Sequence, residues 1–330
     1  MTKRLKNIFS FFFCFILSVG LLMLLFSRID FKQMWQDVKG ADIRYMIAAG
    51  VVFFSTNILI LWRWRILMKA LGLKAKRFSS VRWFSIGLFC NLLPLSSVGG
   101  DVVRGLGLSQ ETGYKPKVFA SIVLDRLSGF AGLVILAAVA FFFGRAIVQN
   151  KFVFLAIIAM SAVSLVIAIV LFSHRIFPFA CNVFSVWPRL KNGLMSLHYD
   201  IVLLKGKQKQ GWEAVGISIL AQIIFALEFY LTAQGMHQHI SFVYFIIFSP
   251  IVCVVTSLPS IGGLGWREVG WVSLLSTVGV NREVASGLSL INSGFMFLVG
   301  LLGGLLYVTT LSAGRLQHYQ TDAGLKPWHA

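Results

Sequence analysis

Asp101 and Arg104 follow a pair of glycines in the stretch Leu93-Pro-Leu-Ser-Ser-Val-Gly-Gly-Asp-Val-Val-Arg104. Arg267 and Glu268 follow a second glycine pair in Leu258-Pro-Ser-Ile-Gly-Gly-Leu-Gly-Trp-Arg-Glu268. Each stretch reads Leu-Pro, then serine, then Gly-Gly, with an arginine four residues past the second glycine. Both interrupt apolar runs. An ionisable side chain at bilayer depth costs at least ~2.5–3.5 kcal/mol on insertion scales, so it faces a cavity or a partner. Gly99 and Gly100 allow backbone N–H groups to come close to a ligand, and a helix starting there favours an anion. Arg104 would then clamp a phosphate or carboxylate. Asp101 and Arg104 are three residues apart, so on a helix they share a face and can instead form an ordinary ion pair. Arg267 and Glu268 are adjacent and point about 100° apart on a helix, so one can meet a ligand while the other meets protein. The alternative is an interfacial arginine reaching toward headgroups.

Two further sites carry charge inside apolar runs. Asp125 and Arg126 lie roughly two turns beyond Lys117. They either complete a one-sided pocket or anchor the first broken segment by pairing with Arg104 or Asp101. Glu228 lies late in another run, as a proton-coupling carboxylate or as a group paired near the outer surface. The candidate ligand-binding residues are therefore Arg104, Arg267, Asp101, Glu268, Asp125 and Arg126. The candidate backbone breaks are Pro94, Gly99, Gly100, Pro259, Gly262, Gly263 and Gly265.

Other chemistry has little support. His237-x-His239 is poor metal-site material without further ligands, so no metal or cofactor is expected. Cys14, Cys90, Cys181 and Cys253 are scattered and include no CxxC pair, so they read as small apolar residues. Trp62-Arg-Trp-Arg65 reads as an aromatic belt beside a basic anchor. No Walker A, G-x-S-x-G or HExxH pattern occurs. Ser96, Ser97 and Ser260 have no histidine nearby in sequence, so they suit freed backbone groups better than nucleophilic attack.

The elements that hold these residues follow from composition. Of 330 residues, 57% are hydrophobic and only 13% charged, against about 25% charged in soluble domains. Mean hydropathy is +0.81. The chain is an all-α polytopic membrane protein. Its net charge of +18 lies mostly between apolar runs, which suits positive-inside topology and anionic lipid rather than nucleic acid. Six runs approach the ~20 residues a crossing needs: 7–27, 43–62, 117–143, 151–172, 212–234 and 284–311. The broken regions 79–112 and 241–280 are expected to enter and leave on one side as re-entrant hairpins. That count puts the basic N-terminus, both basic loop clusters and the C-terminus in the cytoplasm.

The order span, amphipathic stretch, span, hairpin, span then occurs twice with opposite orientation. This predicts an inverted repeat of residues 1–148 and 149–330. Ser128-Gly-Phe-x-x-Leu-Val-x-Leu136 recurring as Ser293-Gly-Phe-x-x-Leu-Val-x-Leu301 fits it. So do two amphipathic stretches, one striped by Phe31, Met34, Trp35 and Val38, the other by Leu190, Leu194, Leu197, Ile201 and Leu204. Interrupted segments at matching places in two halves point to a transporter's binding site.

Leu93-Pro-x-Ser-x-x-Gly-Gly-Asp-x-x-Arg104, Ala120-Ser-x-x-Leu-Asp-Arg126 and Leu258-Pro-x-x-Gly-Gly-x-Gly-x-Arg-Glu268 resemble the lysylphosphatidylglycerol synthase transmembrane region family, also called the flippase-like domain family. The resemblance covers nearly the whole chain. It implies a stand-alone membrane domain without the soluble aminoacyltransferase domain, since after Thr310 only about twenty mostly polar residues remain. It also implies a bacterial inner-membrane lipid transporter, whose partner is a lipid with an anionic phosphate headgroup. In that reading Arg104 and Arg267 meet the phosphate in one shared crevice, while Asp101, Glu268 and Asp125 hold them or meet a headgroup amine. The alternatives are an integral-membrane glycosyl or aminoacyl transferase using a lipid carrier, or a membrane partner of a separate lipid-synthesising enzyme.

Overall fold

The computed structural model describes residues 31–92, 99–144, 207–256 and 263–322, with Met23 and Ala162 as isolated helical residues. Nine helices fall in these segments: α1 Phe31–Lys39, α2 Ile43–Ala70, α3 Arg77–Leu92, α4 Gly99–Thr112, α5 Lys115–Gly144, α6 Gln208–Gly235, α7 Phe242–Val255, α8 Trp266–Ser276 and α9 Arg282–Asp322. Four are long and apolar enough to cross a membrane: α2, α5 over Lys115–Val139, α6, and α9 over Arg282–Thr309.

This corrects the expectation of six full spans plus two re-entrant hairpins, together with the inverted repeat built on that count. Two of the expected spans, 7–27 and 151–172, and the second amphipathic stretch lie outside the described residues. So do the breaks Pro94, Pro259 and Gly262. The two broken regions are short helices, of 16 and 14 residues in α3 and α4 and of 14 and 11 in α7 and α8. The physical reason is that hydropathy reports how apolar a run is, not whether lipid or protein covers it. Short apolar helices such as α7 are covered by protein. Phe245, Ile247, Phe248, Ile251 and Val252 are all buried.

The longest helix pairing among the described residues is that of the antiparallel helices α2 and α6. Asp42 caps α2 by accepting from the Arg44 N–H at 2.8 Å, and its own N–H donates to the Gly235 carbonyl at 2.8 Å. At the far end Lys207 Nζ donates to the Ala70 carbonyl at 2.6 Å. Each helix has 28 residues, or about 42 Å at 1.5 Å per residue, enough to cross a hydrocarbon core of about 30 Å. α5 packs against α6 where Gly132 meets Ser218, a contact too close for a side chain at 132.

The short helices pack on this frame through two apolar cores. The larger lies among α6, α7, α8 and α9, where Phe229 and Trp271 have ring centroids 4.1 Å apart. Met34 of α1 joins that core and Val38 packs against it, whereas Trp35 of the same expected stripe is half exposed. The smaller core joins α2 to α3, α4 and α5 through Trp64, Phe84, Leu108, Val118 and Ile122. α3 and α4 are also clamped by polar groups. Glu111 accepts from Arg82 and from Trp83 Nε1, the latter at 2.6 Å. Burial pushes the Glu111 carboxyl up, but hydrogen bonds from Ser79 and Trp83 and the Arg82 guanidinium outweigh this and hold it below the ordinary carboxylate value.

α3 also packs on α9. A side chain at Gly303 would collide with the Ser85 carbonyl oxygen. Gly303→Val should therefore cost about 1–3 kcal/mol by overpacking. Gly216→Ala, in an open part of α6, should be neutral or stabilising by up to about 1 kcal/mol. Thermal unfolding of purified variants in detergent checks both, and equal stabilities would contradict the packing.

Candidate functional site

Five charged side chains form one chain of contacts where α2, α4 and α5 meet. Asp125 is its centre. Its Oδ1 accepts from Arg63 Nε at 2.7 Å and its Oδ2 from Arg104 Nη2 at 3.2 Å. Arg104 Nη2 also lies 3.1 Å from Asp101 Oδ1, and Asp101 Oδ2 accepts from Arg126 Nε at 2.8 Å. The chain ends on α6, where Arg63 Nη1 donates to Ser218 Oγ at 2.9 Å. Three arginines and two aspartates leave one positive charge in excess. Asp125, Arg63 and Arg104 are buried, whereas the side chain of Arg126 is 52% exposed.

The sequence places these groups by simple means. α4 is described from Gly99, and Gly100 lies against Gly87 and Asn91 of α3 with no room for a side chain. Asn91 Oδ1 accepts from the Gly100 N–H at 3.1 Å. One turn on, Asp101 and Arg104 share a face and pair. Arg104 lies over the rings of Trp64 at 4.8 Å and Phe84 at 5.9 Å. Such stacking suits a weakly hydrated guanidinium. Arg104 Nε is buried without a hydrogen-bond partner among the described residues. Trp64 is held in turn by its Nε1 donating to Ser121 Oγ at 3.1 Å.

The second group lies among α6, α8 and α9. Gly265, at φ 88°, starts α8, and its N–H donates to Glu268 Oε2 at 2.6 Å. Glu268 thus caps its own helix. Its Oε1 accepts from Ser293 Oγ at 2.9 Å, and Ser293 accepts from Arg267 Nη1 at 3.1 Å. Arg267 Nη2 lies 3.2 Å from Met296 Sδ. Arg267 and Glu268 diverge as their adjacency requires, with Arg267 lining a cavity of about 110 Å³ and Glu268 turned into protein. The cavity is otherwise lined by Phe53, Phe225, Val252, Cys253, Thr256, Asn292 and Met296. Glu228, wholly buried on α6, accepts from Asn292 Nδ2 at 2.9 Å.

Among the described residues the two groups meet α6 at different places. The first meets α6 at Ser218 and the second at Phe225 and Glu228. Ten residues separate Ser218 from Glu228, about 15 Å along the helix. Arg104 and Arg267 thus belong to groups that meet α6 seven to ten residues apart. Arg63, Ser218 and Asn292 belong to these groups although sequence reasoning passed over them. Arg63 was hidden in an aromatic-basic run that reads as an interfacial anchor, and Ser218 and Asn292 carry no charge. No group of three or more potential metal ligands occurs among the described residues.

Asp125→Ala leaves Arg63 and Arg104 buried without their shared counter-ion, and breaking a buried pair this way costs about 3–5 kcal/mol. Asp101→Ala, beside the exposed Arg126, should cost less. Unfolding temperatures in detergent should rank wild type above Asp101→Ala and Asp101→Ala above Asp125→Ala; the reverse order would show that Asp125 is not the anchor.

The chain matches the family described as Lysylphosphatidylglycerol synthase TM region over residues 11–304. It is also similar to a UPF0104 membrane protein of Pyrococcus horikoshii, 22% identical over 320 residues that cover 88% of this chain and 94% of the relative. No solved structure gives a significant match. With charged glycine-break segments set among membrane-length helices, and with a match over most of its length, the chain belongs to the lysylphosphatidylglycerol synthase TM region family.

Proposed function

We propose that this protein moves a lipid with a phosphate-bearing headgroup between the leaflets of a bacterial inner membrane. The observation that carries this reading is Arg267, a guanidinium that opens into a cavity within the helix bundle, beside Asn292 and otherwise mostly apolar walls. A charged headgroup crossing hydrocarbon unaided loses its hydration at great cost. A guanidinium fork and an amide replace part of that hydration, and the fork matches phosphate geometry. The acyl tails remain in the bilayer.

The separation of the two groups along α6 supports movement rather than static binding. Arg126 and Arg104 form one cationic station and Arg267 another, and their groups meet α6 seven to ten residues apart, about 10–15 Å along that helix against a ~30 Å hydrocarbon core. Arg63 lies seven residues from the Ala70 end of α2, which leads into Lys74, Lys76 and Arg77. Under the positive-inside rule this station is the one nearer the cytoplasm, and both termini are cytoplasmic. The headgroup enters at the exposed Arg126, displaces Asp101 from it, and passes to Arg267. Asp125 keeps Arg104 in place throughout. Membership of this family supports lipid handling in general, and the name of the Pyrococcus relative says only that it is a membrane protein.

The test is movement of fluorescent phosphatidylglycerol, read by headgroup accessibility, in vesicles of phosphatidylcholine and phosphatidylglycerol. Wild type should exceed empty vesicles. Arg267→Ala and Arg126→Ala should each lower the rate about tenfold or more, a loss of about 1.4 kcal/mol or more of barrier stabilisation, in protein that still unfolds cooperatively in detergent. Arg267→Lys should recover only part, because it keeps charge but not the fork. No movement by wild type, together with a new lipid product on adding an activated sugar or aminoacyl donor, would establish a transferase instead.

A further inference from the structure

Glu228 is the one buried carboxyl near the cavity that the transport reading leaves without a task. It is wholly buried in a membrane-length helix, and none of the ion pairs among the described residues includes it. Its polar neighbours are neutral: Asn292 Nδ2 donates to Oε2 at 2.9 Å, and Thr232 Oγ1 lies 3.5 Å from Oε1. From these contacts and the adjoining cavity, we infer that Glu228 is a proton-binding site that couples lipid movement to a proton gradient. The inference rests on the transport reading and adds its energy source.

The geometry suits a carboxyl that is stable with or without its proton. The Thr232 hydroxyl already donates to the Glu228 backbone carbonyl at 2.9 Å, so its lone pairs are free to face Oε1. A proton on Oε1 therefore finds an acceptor in Thr232 after a closure of a few tenths of an ångström. Asn292 donates to Oε2 in either state. Glu268 differs, because the Gly265 N–H at 2.6 Å is a fixed donor and ties that carboxyl to the helix start.

The proton's route and its electrostatic partner are also present. Asn292 touches Glu228 and lines the cavity, so water there reaches the carboxyl's neighbour. The titratable and charged groups around this place are Arg267 and Glu268 on α8 and Cys253 on α7. At this depth α2, α5 and α9 present no charged side chain among the described residues. When a phosphate occupies Arg267, the guanidinium's charge is spent on it and Glu228 holds a proton. When the phosphate leaves, Glu228 releases that proton to water in the cavity and its carboxylate faces Arg267. One lipid and one proton thus travel together, with no bond other than the O–H formed or broken.

The experiment uses the same fluorescent phosphatidylglycerol vesicles with an imposed pH difference of about one unit. One proton per lipid should shift the leaflet distribution about tenfold across that difference, since one pH unit is a tenfold change in proton activity. Wild-type vesicles should also carry protons, seen with an entrapped pH dye, only when lipid moves. Glu228→Gln should keep lipid movement but lose the gradient-driven asymmetry and the proton flux. A wild type that moves lipid with no response to the pH difference, or that responds to a sodium gradient instead, overturns the inference and leaves the transport reading intact. A wild type that moves no lipid removes both. If Glu228→Gln does not fold, the wild-type asymmetry and proton flux decide.

Discussion

A charge inside a membrane protein must be met by another, and Asp125 meets two. It holds Arg63 of α2 and Arg104 of α4 from its place on α5, and Arg63 extends the tie to Ser218 of α6. Four helices are thereby fixed at one depth. The tie would have no net value as a mere fastening, since apolar residues of the same size often stabilise as well or better. In the proposed transport its effect is to keep a cationic surface inside a low-dielectric bundle, where a phosphate would otherwise find nothing to replace water. Arg104 has its charge balanced by Asp101 and Asp125, while Arg126 extends the same network toward the surface.

The second group solves the same problem differently. Glu268 closes the start of α8 against Gly265, and Ser293 links its carboxylate to Arg267. This relay helps orient the arginine, which lines the cavity. Both groups lean on glycines for the same physical reason. At Gly100 and Gly265 the backbone itself must make a close approach or a left-handed turn, which a side chain would block.

Much of the site was legible in the sequence because charge in an apolar run is costly and therefore meaningful. The three-residue spacing of Asp101 and Arg104 gave their shared face, and the adjacency of Arg267 and Glu268 gave their divergence. The choice between pocket and anchor for Asp125 could not be made from spacing, because its partner Arg63 lies 62 residues away on another helix. Arg63 itself sat between tryptophans of opposite fate: Trp62 is exposed and Trp64 wholly buried. A helical wheel distinguishes them only once the burying neighbours are known. The span count differs at 7–27 and 151–172, which lie outside the described residues, while the four membrane-length helices fall on the other four expected runs. Hydropathy cannot separate α7, buried in protein, from α2, which mostly faces outward. Likewise nothing in the sequence gives the place along α6 that each arginine's group meets.

Everything functional in this reading depends on a phosphate reaching Arg267. A determined structure of the protein in nanodiscs containing phosphatidylglycerol addresses that most directly. The expected result is phosphate density in the cavity, its oxygens about 2.7–2.9 Å from the Arg267 guanidinium, as a charge-assisted pair requires. A cavity filled by acyl chain or closed by side chains, with all lipid phosphates at the headgroup level, would contradict it.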